Sequence, residues 1–222
     1  MGVDSSWKGV IKAGGLSLFV GGTIVIIFIL SVFIFQVPLP LTAEAVFDDP
    51  LPPVLLFCMA AFGEFLLMPG VLALYFSLKD VDKNYVFVGT AVWLCAIPMF
   101  LVSRGQIISL VTISGAYAAG DATVKAAYMA VAHLAIEVAN VYSVMALDLL
   151  GVGAIIIGLV MLKGVFSKRT AYLVMLSGAL MVMGTFGVLL DFLTIGTLFG
   201  LILAGVWQIL VGLKLYGLGK GG

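Results

Sequence analysis

The sequence predicts an all-α, polytopic membrane helical bundle: six transmembrane helices in a single transmembrane domain over residues 1–222, with both termini cytoplasmic. Three observations predict it. Hydrophobic residues make up 63% of the chain and charged residues only 10%, against about 25% charged in a soluble domain. Long uncharged runs cover residues 13–43, 84–103, 170–190 and 192–213, and a helix needs ~20 apolar residues to cross the ~30 Å hydrocarbon core. The basic residues also fall on one side of the predicted crossings. Backbone polar groups in lipid must be satisfied internally, so the runs read as helices. The alternation of a membrane β-barrel is absent from the sequence.

The first span covers residues 10–36. Lys8 and Lys12 precede it, and Ala43-Glu44-Ala45 follows it with a pattern resembling a signal-peptide cleavage site. The apolar stretch far exceeds the 7–15 residues of a signal h-region, so a retained membrane anchor is expected. Prolines and acids punctuate the loop over residues 37–53: Pro38, Pro40, Asp48, Asp49, Pro50, Pro52 and Pro53. The second span covers 53–78, and Met68-Pro69-Gly70 predicts a kink in its inner half. Lys79-Asp80-Val81-Asp82-Lys83 is a tight charged turn.

Spans three and four cover 84–117 and 123–163, too long for simple crossings: roughly 34 residues of helix extend about 50 Å. They tilt, contain a re-entrant segment near residues 115–121, or project beyond the outer surface. Projection is preferred, because the two share that outer connection. A basic loop, Lys163 to Arg169, leads to span five at 170–190, and span six follows at 193–215. Neither an internal repeat nor a pair of matching broken helices is evident, so the usual transporter signature is missing.

Lys8, Lys12, Lys79, Lys83, Lys163, Lys168, Arg169, Lys214 and Lys220 lie on one side; Lys125 and Arg104 are the only other cations. Nine against two places both termini in the cytoplasm. The outer side carries Glu44, Asp48, Asp49, Asp121 and Asp191. Trp7, Tyr85 and Tyr216 fall where an inner aromatic belt would sit.

Four ionisable residues lie inside predicted spans: Glu64, Arg104, Glu137 and Asp148. A charge at the bilayer centre costs at least ~2.5–3.5 kcal/mol, so each calls for a partner, a cavity or a function. On span four, His133, Glu137, Asn140 and Asp148 fall within an arc of roughly 80°, a seam expected to face the bundle interior or an outward-open cavity. By helical rise from the basic end, Asp148 lies ~22 Å out, Glu137 ~39 Å and Arg104 about 32 Å. Arg104 is thus placed to pair bidentately with either acid, with Ser103 and Gln106 adding donors. Glu64, roughly 17 Å from Pro53, has no cation at its own depth and is expected to be protonated or hydrogen-bonded. Tyr142 is a further candidate for the seam. An Arg104–acid pair either fixes helix register or marks a functional cavity.

Several chemistries fit poorly. His133, Glu137 and Asp148 include the only histidine, whereas hydrolytic zinc sites use two or three. No metal or other cofactor is expected. Ser114 lacks the flanking order of intramembrane serine proteases. Lys214 is at the end of its span, not where a retinal Schiff base would form. Cys58 and Cys95 lie in apolar runs and read as small buried hydrophobes. Net charge is zero, giving no argument for nucleic acid.

Gly196, Gly200, Ala204 and Gln208 recur every four residues on the last span. Such a face allows close helix approach, with Gln208 hydrogen-bonding across it. Gly14, Gly15, Gly21 and Gly22 do the same on the first. Intramolecular packing is the expected use; a membrane-protein partner or a second copy of the chain is the sharper one. The lipid bilayer is the expected environment.

The stretch Leu-Ala-Leu-Tyr-Phe-Ser-Leu-Lys-Asp-Val-Asp-Lys at residues 72–83 resembles the end of helix two in an uncharacterised family of six-span prokaryotic membrane proteins. Residues 162–178, with Phe166, Arg169 and Gly178, are similar to that family's fourth loop and fifth-helix entry. Lys168 stands where proline is expected and Ala171 where glycine is common. The resemblance implies topology and a prokaryotic cell membrane, and no activity. Two function classes follow from the residues. One is handling of a small solute or ion, proton-coupled, with Glu64 and Asp148 as carriers. The other is a non-catalytic membrane subunit or scaffold. A membrane-embedded enzyme is third.

Overall fold

A computed structural model describes residues 5–38, 41–186 and 192–221. Among these residues, seven α-helices follow a short 3₁₀ turn at Ser5–Trp7: α1 (Lys8–Ile34), α2 (Ala43–Asp48), α3 (Leu51–Leu78), α4 (Lys83–Ala119), α5 (Ala122–Met161), α6 (Lys168–Thr185) and α7 (Phe192–Lys220). Pro40 and Asp191, both assigned above to outer loops, lie outside the described residues, as does the end of the predicted fifth span.

Among the described residues, five helices are long and apolar enough to cross a membrane: α1, α3, α4, α5 and, within α7, Ile195–Lys220. The fold is an all-α, multi-pass membrane bundle. The described part of α6 has 18 residues and begins with Lys168 and Arg169; at 1.5 Å per residue it extends about 27 Å.

Local chemistry sets the boundaries. Asp82, Asp121 and Ser167 cap α4, α5 and α6, each side chain accepting from the backbone N–H three residues on, at 3.3, 2.9 and 3.1 Å. Thr42 caps α2 in the same way. Prolines 52 and 53 occupy the first turn of α3, where a missing N–H costs no intrahelical bond. Gln36, at φ 52°, turns the chain out of α1.

The long helices close a ring in chain order: α1 packs on α3, α3 on α4, α4 on α5, α5 on α6, α6 on α7 and α7 back on α1. Backbone contact makes the tightest joins. A Cβ added at Gly22 would sit 2.7 Å from the Gly205 carbonyl oxygen; one added at Gly212, 2.7 Å from that of Gly15. Between α5 and α6, Gly151 and Gly178 face each other, each leaving room for the other's carbonyl. The lysine-bearing ends gather together. Trp7 stacks on Phe76 at 3.8 Å, and Lys79 lies over the Trp7 ring. Lys12 and Lys220 both lie over Tyr216.

α4 and α5, with 37 and 40 residues, run unbroken to a turn at Gly120–Asp121, which leaves no re-entrant segment. They extend about 55 and 60 Å, beyond the end of α3, and their far ends are largely exposed. The short α2 packs against both, with Phe47 stacked on Tyr117 at 4.2 Å. One expectation is corrected here: Cys58 and Cys95 are exposed, not buried. Both apolar runs that hold them turn one face outward, and the thiols lie on it.

Candidate functional site

A cavity of about 280 Å³ lies within the ring, lined by residues from all six long helices and by Leu41 of the first connection. Most of its wall is apolar. The polar members are Glu64 (α3), Arg104 (α4), Asn140 and Ser143 (α5), and Gln208 (α7).

Arg104 and Glu64 form a salt bridge at 2.9 Å, with side chains 14% and 12% exposed. This corrects the expected pairing of Arg104 with Glu137 or Asp148, and the expectation that Glu64 lacks a cation. Rise along the separate helices gave the wrong answer because depth from a helix end ignores tilt and offset between neighbours. The pair is also not a two-oxygen fork. Nε and Nη2 of Arg104 both donate to Oε1 of Glu64, at 3.0 and 2.9 Å. Oε2 is buried and has no hydrogen-bond partner.

The guanidinium is held on every side. Its Nη1 donates to Ser143 Oγ at 3.3 Å, and Ser143 shares a 2.7 Å hydrogen bond with Ser103. Arg104 Cζ lies over the Phe57 and Phe100 rings, 5.4 and 5.2 Å from their centroids. Phe100 is four residues before Arg104, on the same stripe of α4. Gly63, beside Glu64, lets Ile24 of α1 approach: an added Cβ would stand 2.9 Å from its Cγ2.

The predicted seam on α5 divides. Asn140 reaches the cavity. His133 faces Glu44 of α2 at 3.6 Å, in an exposed pair at the end of the bundle away from the clustered lysines. Glu137 is exposed and makes no hydrogen bond or ion pair among the described residues. Asp148 accepts a hydrogen bond from Thr185 of α6. The cavity takes Asn140, Ser143, Leu147 and Leu150 from α5. Glu137 and Asp148 point roughly 100–120° away from the middle of that stripe. Gln106 lies outside the cavity wall, and Tyr142 is exposed. Ser143 is a polar residue of the cavity wall that charge-based reading missed. Its signal was available: it lies one turn from Asn140 on the cavity stripe.

The glycine face of α7 packs inside the chain. Gly196 and Gly200 lie against Leu180 and Met181 of α6, Ala204 is buried, and Gln208 is 2% exposed on the cavity wall. Its Oε1 has no hydrogen-bond partner. Toward the lysine-rich end the ring is filled. Trp93 (α4) and Trp207 (α7) stack with centroids 5.3 Å apart, and Trp207 Nε1 donates to Ser177 Oγ at 2.9 Å. Trp93 also packs on Gly153, one turn beyond Leu150 of the cavity wall. The tryptophan pair therefore forms the floor between the cavity and the basic end.

Bundle and cavity together define an integral, multi-pass membrane protein with a buried polar pair in an apolar central chamber. No protein family, curated protein or solved structure matches this chain.

Proposed function

We propose that this protein binds and handles a small solute through its central cavity. It does so as a six-span protein of a prokaryotic cell membrane, both termini cytoplasmic, within the uncharacterised family that residues 72–83 and 162–178 resemble. The observation that carries the functional reading is the Glu64–Arg104 pair: a salt bridge set in the wall of an apolar chamber, with one carboxylate oxygen left unpartnered. Intramembrane charges that face a chamber mark solute and ion paths. The closed tryptophan floor and the wall reaching Leu41 support access from the outer side. Grouping of the lysine-bearing helix ends supports the cytoplasmic assignment of both termini.

The scaffold reading loses its main support, since Gly196 and Gly200 are occupied by α6 of the same chain. The two-carrier form of the solute reading also changes. Asp148 is bonded to Thr185 away from the chamber, so Glu64 alone faces the solute.

Native mass spectrometry from lipid nanodiscs tests this. Wild-type protein is expected to carry a non-lipid molecule. The cavity-filling variant Ala60→Phe, at a wall position of α3, is expected to lose it. Identical spectra for the two proteins would overturn the proposal, as would a stoichiometric protein partner whose release leaves the chamber without any bound molecule.

A further inference from the structure

We infer that a cleft between the start of α6 and the lysine-bearing end of α7 holds the phosphate of an anionic phospholipid. The lipid belongs to the leaflet at that end of the bundle. The cleft has a volume of about 380 Å³. Val165, Phe166, Ser167 and Thr170 line one side, and Leu210 and Lys214 of α7 line the other. It shares no wall residue with the central chamber.

Charge sets the sign of the ligand. At the lysine-bearing end, Asp80 and Asp82 are the only acids among the described residues. Both ion pairs of the described residues lie elsewhere. Lys12, Lys79 and Lys220 are instead placed over aromatic rings. Lys168, Arg169 and Lys214 have neither kind of partner among the described residues. Lys214 forms part of the cleft wall, and Lys168 and Arg169 stand in sequence between the wall residues Ser167 and Thr170. A wall with cations and no acid attracts an anion, by about fivefold in affinity for each charge near a membrane surface.

The wall also offers donors to phosphate oxygens. Ser167 Oγ accepts from Thr170 N at 3.1 Å and shares a 2.8 Å hydrogen bond with Thr170 Oγ1. Two hydroxyls sharing one bond leave one O–H free to donate. The N–H groups of Lys168 and Arg169, in the first turn of α6, meet no backbone acceptor among the described residues. This turn supplies one side of the cleft only. Lys214 closes it from another helix, so the anion is held between two elements.

The apolar edge selects a lipid over a free phosphate. Leu210 lies one turn from Lys214 on the same face of α7, and Val206 lies one turn further; both are exposed. Within about 6 Å of helix rise the cationic wall gives way to an outward apolar stripe. A phospholipid has the same order, an anionic phosphate followed by acyl chains. The volume corresponds to about twelve water-sized groups, room for a phosphate with its glycerol. Cationic pockets between membrane helices suit such headgroups.

The test titrates the full-length protein in neutral detergent and counts adducts by native mass spectrometry. The probes are dioleoyl phosphatidylglycerol, dioleoyl phosphatidylcholine and glycerol 3-phosphate. Phosphatidylglycerol is expected to bind at least about tenfold tighter than either of the others. Lys214→Gln is expected to weaken its first adduct about fivefold, the effect of one interfacial charge. Lys214→Arg keeps the charge and is expected to hold affinity within about twofold. Lys214 is exposed, so neither substitution is expected to alter folding. Lys83→Gln removes a cation at the same end, at the start of α4 and outside the cleft, and is expected to leave the adduct unchanged. Equal weakening by Lys83→Gln and Lys214→Gln would show diffuse attraction and overturn the cleft as a site. Equal affinity for phosphatidylcholine would overturn the anionic requirement. Glycerol 3-phosphate binding as tightly as the lipid would overturn the lipid and leave a free phosphate as the ligand. An adduct that Lys214→Gln leaves intact would overturn the proposal outright.

Discussion

Removing Arg104 exposes the energetics of the chamber most directly. In Arg104→Ala, Glu64 keeps its place at 12% exposure and loses its one ion-pair partner among the described residues. Breaking a buried pair by deleting one member costs about 3–5 kcal/mol, because the remaining charge stays desolvated. The guanidinium also leaves Phe57 and Phe100, contacts of about 0.5–2 kcal/mol each when desolvated, and releases Ser143. A loss of about 4–9 kcal/mol is expected, a large share of the ~5–15 kcal/mol that holds a domain folded. The double variant Glu64→Leu/Arg104→Met fills the same space without charge and is expected to recover most of that loss. The assay is equilibrium unfolding in mixed micelles or bicelles, followed by tryptophan fluorescence, for wild type, both single variants and the double. An Arg104→Ala cost below about 1 kcal/mol, the value of an exposed pair, would refute the placement of this pair in a buried interior. A double variant no more stable than Arg104→Ala would refute the charge-burial reasoning.

Other positions separate packing from exposure. Gly212→Ala places a Cβ 2.5 Å from Phe19 N and 2.7 Å from Gly15 O, and is expected to destabilise the α1–α7 join by about 1–3 kcal/mol. Gly105→Ala meets nothing within 4 Å and is expected to be neutral or to stabilise by up to ~1 kcal/mol in the same unfolding assay. Cys58 and Cys95 are exposed on helices that cross the bilayer, so a lipid-soluble maleimide is expected to label both in the folded protein, counted by intact mass. His133→Ala breaks only a 3.6 Å pair whose members are each 57% exposed, and a stability change under about 1 kcal/mol is expected.

Architecture was legible because the membrane leaves few choices. Runs of apolar residues must be helices, and caps such as Asp82, Asp121 and Ser167 mark their starts within a residue or two of the predicted bounds. The intramembrane charges announced the site by their rarity. Their pairing was not legible, since it depends on which helices are neighbours. The sequence shows Glu64 and Arg104 on adjacent spans but not how far α3 slides along α4. Angular position on α5 misled for a related reason. The charges Glu137 and Asp148 define one stripe, yet the chamber uses the stripe of Asn140 and Ser143. Charge alone does not identify the inward face when outer segments project past the bundle, as α5 does near His133. The outward thiols show the same limit: an apolar helix is hydrophobic on its lipid face as well as its core face, and composition cannot tell Cys58 from a core residue.

The geometry of the pair argues against a role confined to fixing helix register. A bridge that serves only to lock α3 to α4 is best made with both carboxylate oxygens, two parallel bonds giving the stronger and more directional join. Here both N–H groups converge on Oε1, while Ser143 takes the third. Oε2 is left buried without a hydrogen bond, where an unmet acceptor costs about 1–3 kcal/mol. Gln208 repeats the arrangement across the ring, its Oε1 buried and unmet. Apolar side chains of similar volume would pack the same space at equal or better stability. Glu64→Gln separates the two roles. It keeps the shape and a hydrogen bond to Arg104 but places an amide at the chamber wall. If the pair only fixes register, binding by the chamber is unchanged and stability alone falls; if Glu64 is part of the binding wall, affinity for the molecule the chamber carries falls at least tenfold, a difference of about 1.4 kcal/mol.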